Sequence, residues 1–504
     1  MSEAPCLMIQ GTASSVGKSL LVAALCRHYA RRGVRVAPFK AQNMALNAHV
    51  TPEGLEIGRA QALQARACGL APNVLMNPIL LKPEADARAQ VVVLGKSRGR
   101  VGAQRYHLDK TALRHVVTAS LDTLRNQYDL VVIEGAGSPA EINLREQDLV
   151  NMFVALFARA PVLLVGDIDR GGVFAHLVGT LALLDDADRS RIKGFVINKF
   201  RGDLRLLKPG LRQLEERTAL PVIGVVPHVP RLRLGDEDSL SLDDRGPGRR
   251  AAAHELDIAV IRLPWISNSD DFDALAWEWG VALRFVRHPQ ELQGADLVVI
   301  PGSKSTFADL RWLEEGGLAE ALRARGQRFE PILGICGGCQ MLGRLLVDPH
   351  GVEGAAGTKV AGLGLLSVAT EFSPVKRTER VTARSRSAMP LLGRFDAAQG
   401  YWIHAGRLRG PPSRGGLEVR GGGESTWVAD GAVSGEWVVG TMVHGLLENE
   451  APRRNLLERL ALRRGLERPS GVPSLPSVET ELDRWTDTVI ESLDMGAIDR
   501  WIDP

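Results

Sequence analysis

The chain has 504 residues, of which 45% are hydrophobic and 24% are charged, and its formal net charge is +3. This length allows two or more domains with ample cores, and the composition is that of an ordinary globular protein. So small a net charge gives no argument for binding nucleic acid or a membrane surface. The five cysteines form neither a disulfide framework nor a paired metal-binding pattern. With no signal peptide or membrane span expected, the chain is predicted to be cytoplasmic.

A glycine-rich loop follows the first predicted strand, residues 5–10. It runs from Gly11 and Thr12 to Gly17, Lys18 and Ser19, and a helical run over 20–32 follows. In such loops backbone N–H groups surround phosphates, the lysine reaches the β and γ oxygens, and the hydroxyl can bind Mg²⁺. Five residues rather than four separate the two glycines, so the loop is a variant. The alternative is a glycine-rich turn that only opens a helix.

Three later strands also end in polar side chains. Lys40 follows the strand 34–39, Glu134 follows the strand 130–133, and Asn198 and Lys199 end the strand 192–198. Ligands bind at the carboxyl ends of strands in open parallel sheets. We therefore expect Lys40 to contact substrate or γ-phosphate, with a solvated loop lysine as the alternative, and Glu134 to bind Mg²⁺. Asn198 and Lys199 are predicted to bind the nucleotide base.

The order of strands and helices predicts two α/β domains. Strands alternate with helices up to residue 230, which indicates a doubly wound parallel sheet. A polar stretch rich in Gly and Pro separates it from a second α/β pattern. We predict a phosphate-binding domain over 1–234, a linker over 235–255, a second domain over 256–452 and a helical tail over 453–504. Within the second domain, residues 360–450 are also expected to be α/β.

A nucleophile elbow is predicted in the second domain. The apolar strand 332–335 is followed by Cys336, and Gly334 and Gly338 flank it at the small–x–nucleophile–x–small spacing. The glycines permit a sharp strand-to-helix turn, and the N-terminus of the new helix favours a thiolate. The alternative is a buried structural cysteine, which is the expected role of Cys339, inside the same helix.

A cysteine nucleophile also needs a base and an oxyanion hole. His444 ends a later apolar run and can serve as the base. The backbone N–H groups of Gly302 and Gly337 are candidate oxyanion donors. His404 is expected to be structural or to lie at the edge of the substrate.

The two predicted sites suggest one coupled reaction. A Cys–His site can hydrolyse the side-chain amide of glutamine through a thioester and release ammonia. A phosphate site can activate a carboxylate as an acyl phosphate, which ammonia attacks. Together they predict an ATP-dependent, glutamine-hydrolysing amide synthase.

Several motifs carry a family resemblance. The loop at 11–19, with Lys40 and Glu134, resembles the dethiobiotin synthetase-like synthetases, and GICGGCQMLG at 334–343 with His444 resembles class I glutamine amidotransferases. With FKAQNM at 39–44, EIGRAQ at 56–61, PGSKST at 301–306 and GYWIHAGR at 400–407, nearly the whole chain is similar to the cobyric acid synthase family of the cobalamin pathway.

This resemblance implies amidation of the b, d, e and g carboxylates of a corrinoid, adenosyl-cobyrinic acid a,c-diamide, with glutamine, ATP and Mg²⁺. It also implies that Cys336 is the nucleophile and His444 its base.

The chain departs from the family patterns at two positions, and two alternative functions stay open. Triad amidotransferases carry His-x-Glu, but here Leu446 stands two residues after His444, so a Cys–His dyad is expected. Trp402 stands where the family usually has an acid. One rival is a cobyrinic acid a,c-diamide synthase, which has the same two modules. The other is a P-loop ATPase switch of the partitioning type with a non-catalytic second half, although residues 12–16 lack that group's signature lysine.

Overall fold

The computed structural model of the chain describes residues 3–84, 88–102, 110–235, 249–386, 389, 391–410, 416–467 and 473–502. Most of the predicted linker, 236–248, lies outside these residues. The predicted α/β class is confirmed, because two six-stranded and largely parallel sheets form the cores of two halves. None of the described helices is both long enough and apolar enough to cross a membrane.

The strands of the first half are β1 (Cys6–Gly11), β2 (Val36–Phe39), β3 (Gln42–Met44), β4 (Ala48–Val50), β5 (Glu56–Gly58), β6 (Ile79–Glu84), β7 (Arg88–Val93), β8 (Lys96–Gly102), β9 (Leu130–Glu134), β10 (Val162–Asp167), β11 (Ile192–Phe200) and β12 (Val222–Pro227). Its helices are α1 (Lys18–Arg31), α2 (Arg59–Ala67), α3 (Lys110–Gln127), α4 (Met152–Phe157), α5 (Val173–Leu183), α6 (Asp186–Arg189) and α7 (Leu204–Thr218).

The main sheet of the first half is parallel, in the order β12-β11-β10-β1-β9-β2. Alternate residues of β1 point to opposite faces, so that Met8 lies in one apolar core and Leu7 and Ile9 lie in the other. Both faces are therefore covered, as a parallel sheet requires. Since β1 lies between β9 and β10, the glycine-rich loop and Glu134 emerge at the same sheet edge.

The strands of the second half are β13 (Leu256–Ile261), β14 (Ile266–Ser267), β15 (Val281–Val286), β16 (Leu297–Ile300), β17 (Gly302–Ser303), β18 (Ile332–Ile335), β19 (Leu345–Asp348), β20 (Thr358–Ala361), β21 (Ala369–Ser385), β22 (Ala398–Arg409), β23 (Leu417–Gly421), β24 (Val428–Asp430), β25 (Ala432–Ser434) and β26 (Val438–Thr441). Its helices are α8 (Asp273–Trp277), α9 (Thr306–Glu315), α10 (Leu318–Gln327), α11 (Gly337–Leu342) and α12 (Glu450–Arg464).

The sheet of the second half has the order β15-β13-β16-β18-β26-β25, and only the edge strand β25 is antiparallel to its neighbour. The central strand β18 leads directly into Cys336 and α11. The carboxyl end of β26 lies beside it, because Ile335 pairs with Thr441. The fold thus places Cys336 and the residues after Thr441 next to each other.

The prediction of α/β structure over 360–450 was wrong up to residue 430. The described part of 345–430 contains no α-helix and forms a mainly antiparallel sheet, β20-β19-β21-β23-β24, with β22 paired to β21. The strands that follow it, β25 and β26, belong to the main sheet. The physical reason is the period of burial. In β21, Thr370 and Phe372 are buried, as are Val381 and Ala383, whereas the residues between them are not, which is the two-residue repeat of a strand.

The predicted tail divides between the two halves. Helix α12 packs Leu456, Leu457 and Leu460 into the core of the second half. The last helices, α13 (Val478–Ser492) and α14 (Met495–Ile502), return to the first half, where Leu482, Trp485 and Val489 share a core with Leu21 and Leu25 of α1. The end of the chain therefore stabilises the phosphate-loop helix.

Candidate active site

Cys336 lies in a strained turn between β18 and α11. Its φ of 49° and ψ of −105° are outside the regions that side-chain-bearing residues favour. The turn is tight enough to require glycine, since a Cβ at Gly338 would lie 2.0 Å from the carbonyl oxygen of Ile300. The Cys336 N–H donates to the carbonyl of Thr441 at 2.7 Å. Cys339 lies inside α11, where burial raises the pKa of its thiol well above the usual value, so it cannot readily supply a thiolate.

His444 faces Cys336 and is held from behind by Asp271. Its Nδ1 lies 2.7 Å from Asp271 Oδ2, while the Gly445 N–H donates to Asp271 Oδ1 at 2.7 Å. Burial lowers the pKa of His444, but the charge of Asp271 and a hydrogen bond with Cys336 outweigh this and raise it to about 10. The imidazole is therefore held in the charged form that stabilises a thiolate at Cys336.

The expectation of a Cys–His dyad was therefore wrong, because Asp271 occupies the place of the missing acid. It lies 173 residues before His444 in the sequence, in the 3₁₀ turn Ser269–Phe272. Asp271 lies ten residues beyond the end of β13, with the short strand β14 between them, so it does not follow a strand directly as Glu134 does. No motif in the sequence indicated that Asp271 would reach His444.

Tyr401 fixes the other side of the imidazole. The two rings stack with centroids 5.6 Å apart and planes 19° apart. Their backbones are joined by two hydrogen bonds, from Tyr401 N–H to the His444 carbonyl at 3.1 Å and in reverse at 3.0 Å. The Tyr401 hydroxyl accepts a hydrogen bond from the Asn268 amide at 2.7 Å. His444 is thus oriented by both stacking and hydrogen bonding.

Trp402 supports the elbow rather than binding a ligand as an acid would. Its indole N–H donates to Asp430 at 3.2 Å, and the other oxygen of Asp430 accepts from the Thr441 hydroxyl at 2.6 Å. Thr441 in turn holds the Cys336 N–H through its carbonyl. The guanidinium of Arg377 lies 3.7 Å above the Trp402 ring. The indole therefore completes a chain of contacts that ends at Cys336.

Both predicted oxyanion segments lie beside Cys336 and His444. A Cβ at Gly302 would lie 2.8 Å from His444 Cε1, and a Cβ at Gly337 would lie 2.7 Å from the Ser303 nitrogen. Glycine is needed at both positions for these close approaches. Their service as oxyanion donors stays a prediction.

A cavity of about 400 Å³ opens at Cys336 and is lined by both halves, with Lys82 contributed by the first. His404 lines it too and is 9% exposed. Its Nδ1 donates to the Gly406 carbonyl at 2.7 Å, and burial lowers the pKa of His404 to about 3. Its Nε2 is then a lone-pair acceptor, and it has no hydrogen-bond partner within the described residues. A neutral acceptor of this kind suits the N–H group of a bound substrate.

The glycine-rich loop closes around its own lysine. Lys18 Nζ donates to the carbonyls of Ala13 at 2.9 Å and Gly137 at 3.3 Å. Gly17 has a φ of 96°, and a Cβ there would lie 2.2 Å from the Asn198 amide nitrogen. A Cβ at Gly11 would come within 3.0 Å of Lys18 Nζ. The Thr12 N–H donates to the Val165 carbonyl at 2.9 Å, which ties the loop to β10. This geometry fits a phosphate cradle.

Glu134 is fully buried beside this loop. Its Oε1 accepts hydrogen bonds from the Ser19 hydroxyl and from Lys40 Nζ, both at 2.8 Å. Its Oε2 accepts from Gln64 at 2.6 Å and Gln61 at 3.4 Å, two partners that the sequence did not reveal. The Ser19 hydroxyl and the Glu134 carboxylate are hard oxygen ligands that suit Mg²⁺. No cluster of three or more His, Cys, Asp or Glu side chains fit to hold a metal occurs in the described ranges.

Asn198 and Lys199 contact the loop itself. The Asn198 amide donates to the Val16 carbonyl at 2.8 Å, and Lys199 Nζ donates to the Ser15 carbonyl at 2.7 Å and to Asp167 at 2.8 Å. Both residues border a cavity of about 390 Å³. They brace the loop in this structure, and their contact with a nucleotide base stays a prediction.

Comparisons with known proteins identify both halves. The family model of the CobQ/CobB/MinD/ParA nucleotide binding domain matches residues 7–241, and that of the CobB/CobQ-like glutamine amidotransferase domain matches residues 257–452. The chain is 54% identical to a cobyric acid synthase of Sorangium cellulosum (strain So ce56), with 98% of each chain covered. It is 51% identical to that of Nocardia farcinica (strain IFM 10152), over 98% of this chain and 96% of the relative.

Among solved structures, a glutamine amidotransferase is similar at 20% identity with a TM-score of 0.29, over 40% of this chain and 98% of that one. PurLQS from Thermotoga maritima is similar at 16% identity with a TM-score of 0.31, over 42% and 99%. These TM-scores are too low to add to the family assignment.

Proposed function

The chain belongs to the cobyric acid synthase family and is a glutamine-dependent, amide-forming ligase, and from this premise we propose its substrate and mechanism. We propose that it amidates the b, d, e and g carboxylates of adenosyl-cobyrinic acid a,c-diamide to give adenosyl-cobyric acid. The observation that carries the proposal is the Cys336 elbow, with His444 and Asp271, in one chain with a phosphate loop. This intact cluster also argues against a non-catalytic second half.

Ammonia is released in the second half. The Cys336 thiolate attacks the carboxamide carbon of glutamine, and the Gly302 and Gly337 N–H groups bind the oxyanion. The C–N bond breaks as His444 gives its proton to the leaving nitrogen, which departs as ammonia and leaves a thioester. Water, deprotonated by His444, then hydrolyses the thioester and frees glutamate. Asp271 holds the imidazole in the required orientation throughout.

The carboxylate is activated in the first half. A carboxylate oxygen attacks the γ-phosphorus of ATP, ADP leaves, and an acyl phosphate forms. Ammonia then attacks the acyl carbon and displaces phosphate to give the amide. Lys18 and Lys40 neutralise the charge of the transferred group. Mg²⁺, held by Ser19 and Glu134, would supply further charge neutralisation at the phosphate oxygens.

A Cys336→Ala variant tests both halves together. The parent should add four successive amide groups to the corrinoid with glutamine or ammonium, as measured by mass spectrometry. Cys336→Ala should do so only with ammonium, because only thioester formation needs the thiol. Cys339→Ala, at the buried neighbouring cysteine, is the matched control and should keep the glutamine-dependent reaction. ATP hydrolysis without any mass gain would overturn the proposed substrate.

A further inference from the structure

Arg59 of the first half contacts two acids that flank the glutaminase site of the second. It begins α2, and its Nε lies 2.9 Å from Asp270 Oδ2 while its Nη2 donates to Glu448 Oε1 at 2.6 Å. Asp270 directly precedes Asp271, and Glu448 lies in the turn just after His444. One guanidinium therefore ties together the two segments that carry the His444–Asp271 pair.

The first half holds the 268–271 segment at further points. The Ser269 N–H donates to the Asn47 side chain at 3.1 Å, and the Asn268 amide donates to the Ala48 carbonyl at 3.0 Å. On its other side the same segment bonds His444 and Gly445 through Asp271. The segment is thus packed between the halves, and its geometry depends on both.

The charges explain why a cation is needed here. Asp270 and Asp271 are adjacent, buried carboxylates, 6% and 2% exposed, and Glu448 adds a third acid. Burial raises the pKa of Asp270 to about 7, and Arg59 is the largest influence that opposes this. Without the guanidinium, Asp270 would bind a proton or turn toward water. Either change would remove a contact that holds the segment carrying Asp271 in place.

We propose that Arg59 is a positioning residue for glutamine hydrolysis, so that the first half completes the glutaminase site of the second. This inference rests on the proposed function of Cys336 and His444. It also gives α2 a role at two sites, because Gln61 and Gln64 of the same helix donate to Glu134 beside the phosphate loop. Arg59 does not line the cavity at Cys336, so it acts through Asp270 and not on glutamine itself.

The test compares Arg59→Ala and Arg59→Lys in the full chain. Arg66→Ala is the matched control, because Arg66 lies on the same helix but pairs with the exposed Glu479. For Arg59→Ala we expect kcat for glutamine hydrolysis to fall about 10- to 100-fold, the range known for removing a group that orients a metal ligand. KM for glutamine and the ammonium-supported amidation should match those of Arg66→Ala. The kcat of Arg59→Lys should lie between those of Arg59→Ala and Arg66→Ala, because an ammonium cannot bridge both acids as a guanidinium does.

A double variant shows whether the effect passes through Asp271. If it does, Arg59→Ala should add little to the loss caused by Asp271→Asn. Glutamine hydrolysis by Arg59→Ala at the rate of Arg66→Ala would overturn the inference, as would an equal loss of the ammonium-supported reaction. If the parent hydrolyses glutamine but leaves the corrinoid unchanged, only the proposed substrate is contradicted. The inference on Arg59 is still tested, because its comparison uses the rate of glutamine hydrolysis.

Discussion

Asp271 determines which nitrogen of His444 faces Cys336. A carboxylate oxygen 2.7 Å from Nδ1 keeps a proton on that nitrogen, so Nε2 is left for exchange with the sulfur. The Gly445 N–H on the second oxygen prevents rotation of the carboxylate. Asp271 thus takes the position of the acid in the His-x-Glu motif, although it comes from another part of the chain.

An Asp271→Asn variant should no longer keep the proton on Nδ1 of His444. The pKa of His444 is raised to about 10, with Asp271 as the main raising influence, so it should fall in the variant. The alkaline limb of kcat/KM for glutamine hydrolysis reports loss of the His444 proton from the thiolate–imidazolium pair. That limb should therefore move to lower pH, and kcat should fall on the order of 10²-fold or more. A pH–rate profile with an unmoved alkaline limb would show that Asp271 does not set the charge of His444.

Local residue patterns were enough to predict some candidate site residues but not their partners. Cys336 and Lys18 lie in short motifs in which the local backbone requires glycine, and Glu134 lies at a strand end. Asp271 contacts His444, which lies 173 residues later in the sequence. Arg59 contacts Glu448, which lies 389 residues later. A spacing rule cannot find such pairs, because they are created by how the two halves pack.

The helices at the end of the chain show that a sequence pattern can predict an element without indicating what that element packs against. The four-residue steps of Trp485 and Val489 predict an amphipathic helix, and α13 is that helix. Its apolar face does not specify a partner, and it packs on α1 of the first half instead of the adjoining domain. Likewise, short apolar segments over 360–443 could not be divided between strands and helices until the pairing of β21 with β22 was known.

Trp485→Ala should destabilise the first half. The indole is 4% exposed in the core shared with α1, and its N–H donates to the Leu20 carbonyl at 2.7 Å. Removing a buried tryptophan of this kind costs about 3–5 kcal/mol. Calorimetry should show that the unfolding transition stabilised by ATP moves to lower temperature. The exposed Trp279→Ala is the control and should leave that transition in place, and an equal shift in both variants would contradict the packing argument.

At the scale of the whole molecule, buried ion pairs join the halves around the cavity at Cys336. Lys376 of the second half pairs with Glu56 of the first at 2.6 Å, and Lys304 pairs with Glu84. Burial alone would raise the pKa of Glu56, but Lys376 and Lys82 hold it at about 2. Glu56 therefore stays ionised at neutral pH, and ion pairs of this kind favour one docking arrangement of the two halves.

This arrangement predicts that ammonia passes between the sites without mixing with the solvent. The cavity that opens at Cys336 is also lined by Leu46 and Lys82 of the first half, and β6, which carries Lys82, pairs with β3, just after Lys40. With amide-¹⁵N glutamine and excess unlabelled ammonium, the product amides should therefore carry mainly ¹⁵N, as measured by mass spectrometry. Cys336→Ala should give only unlabelled amides under the same conditions. Label diluted in proportion to the ammonium in solution would show that ammonia leaves the protein before it reaches the acyl phosphate.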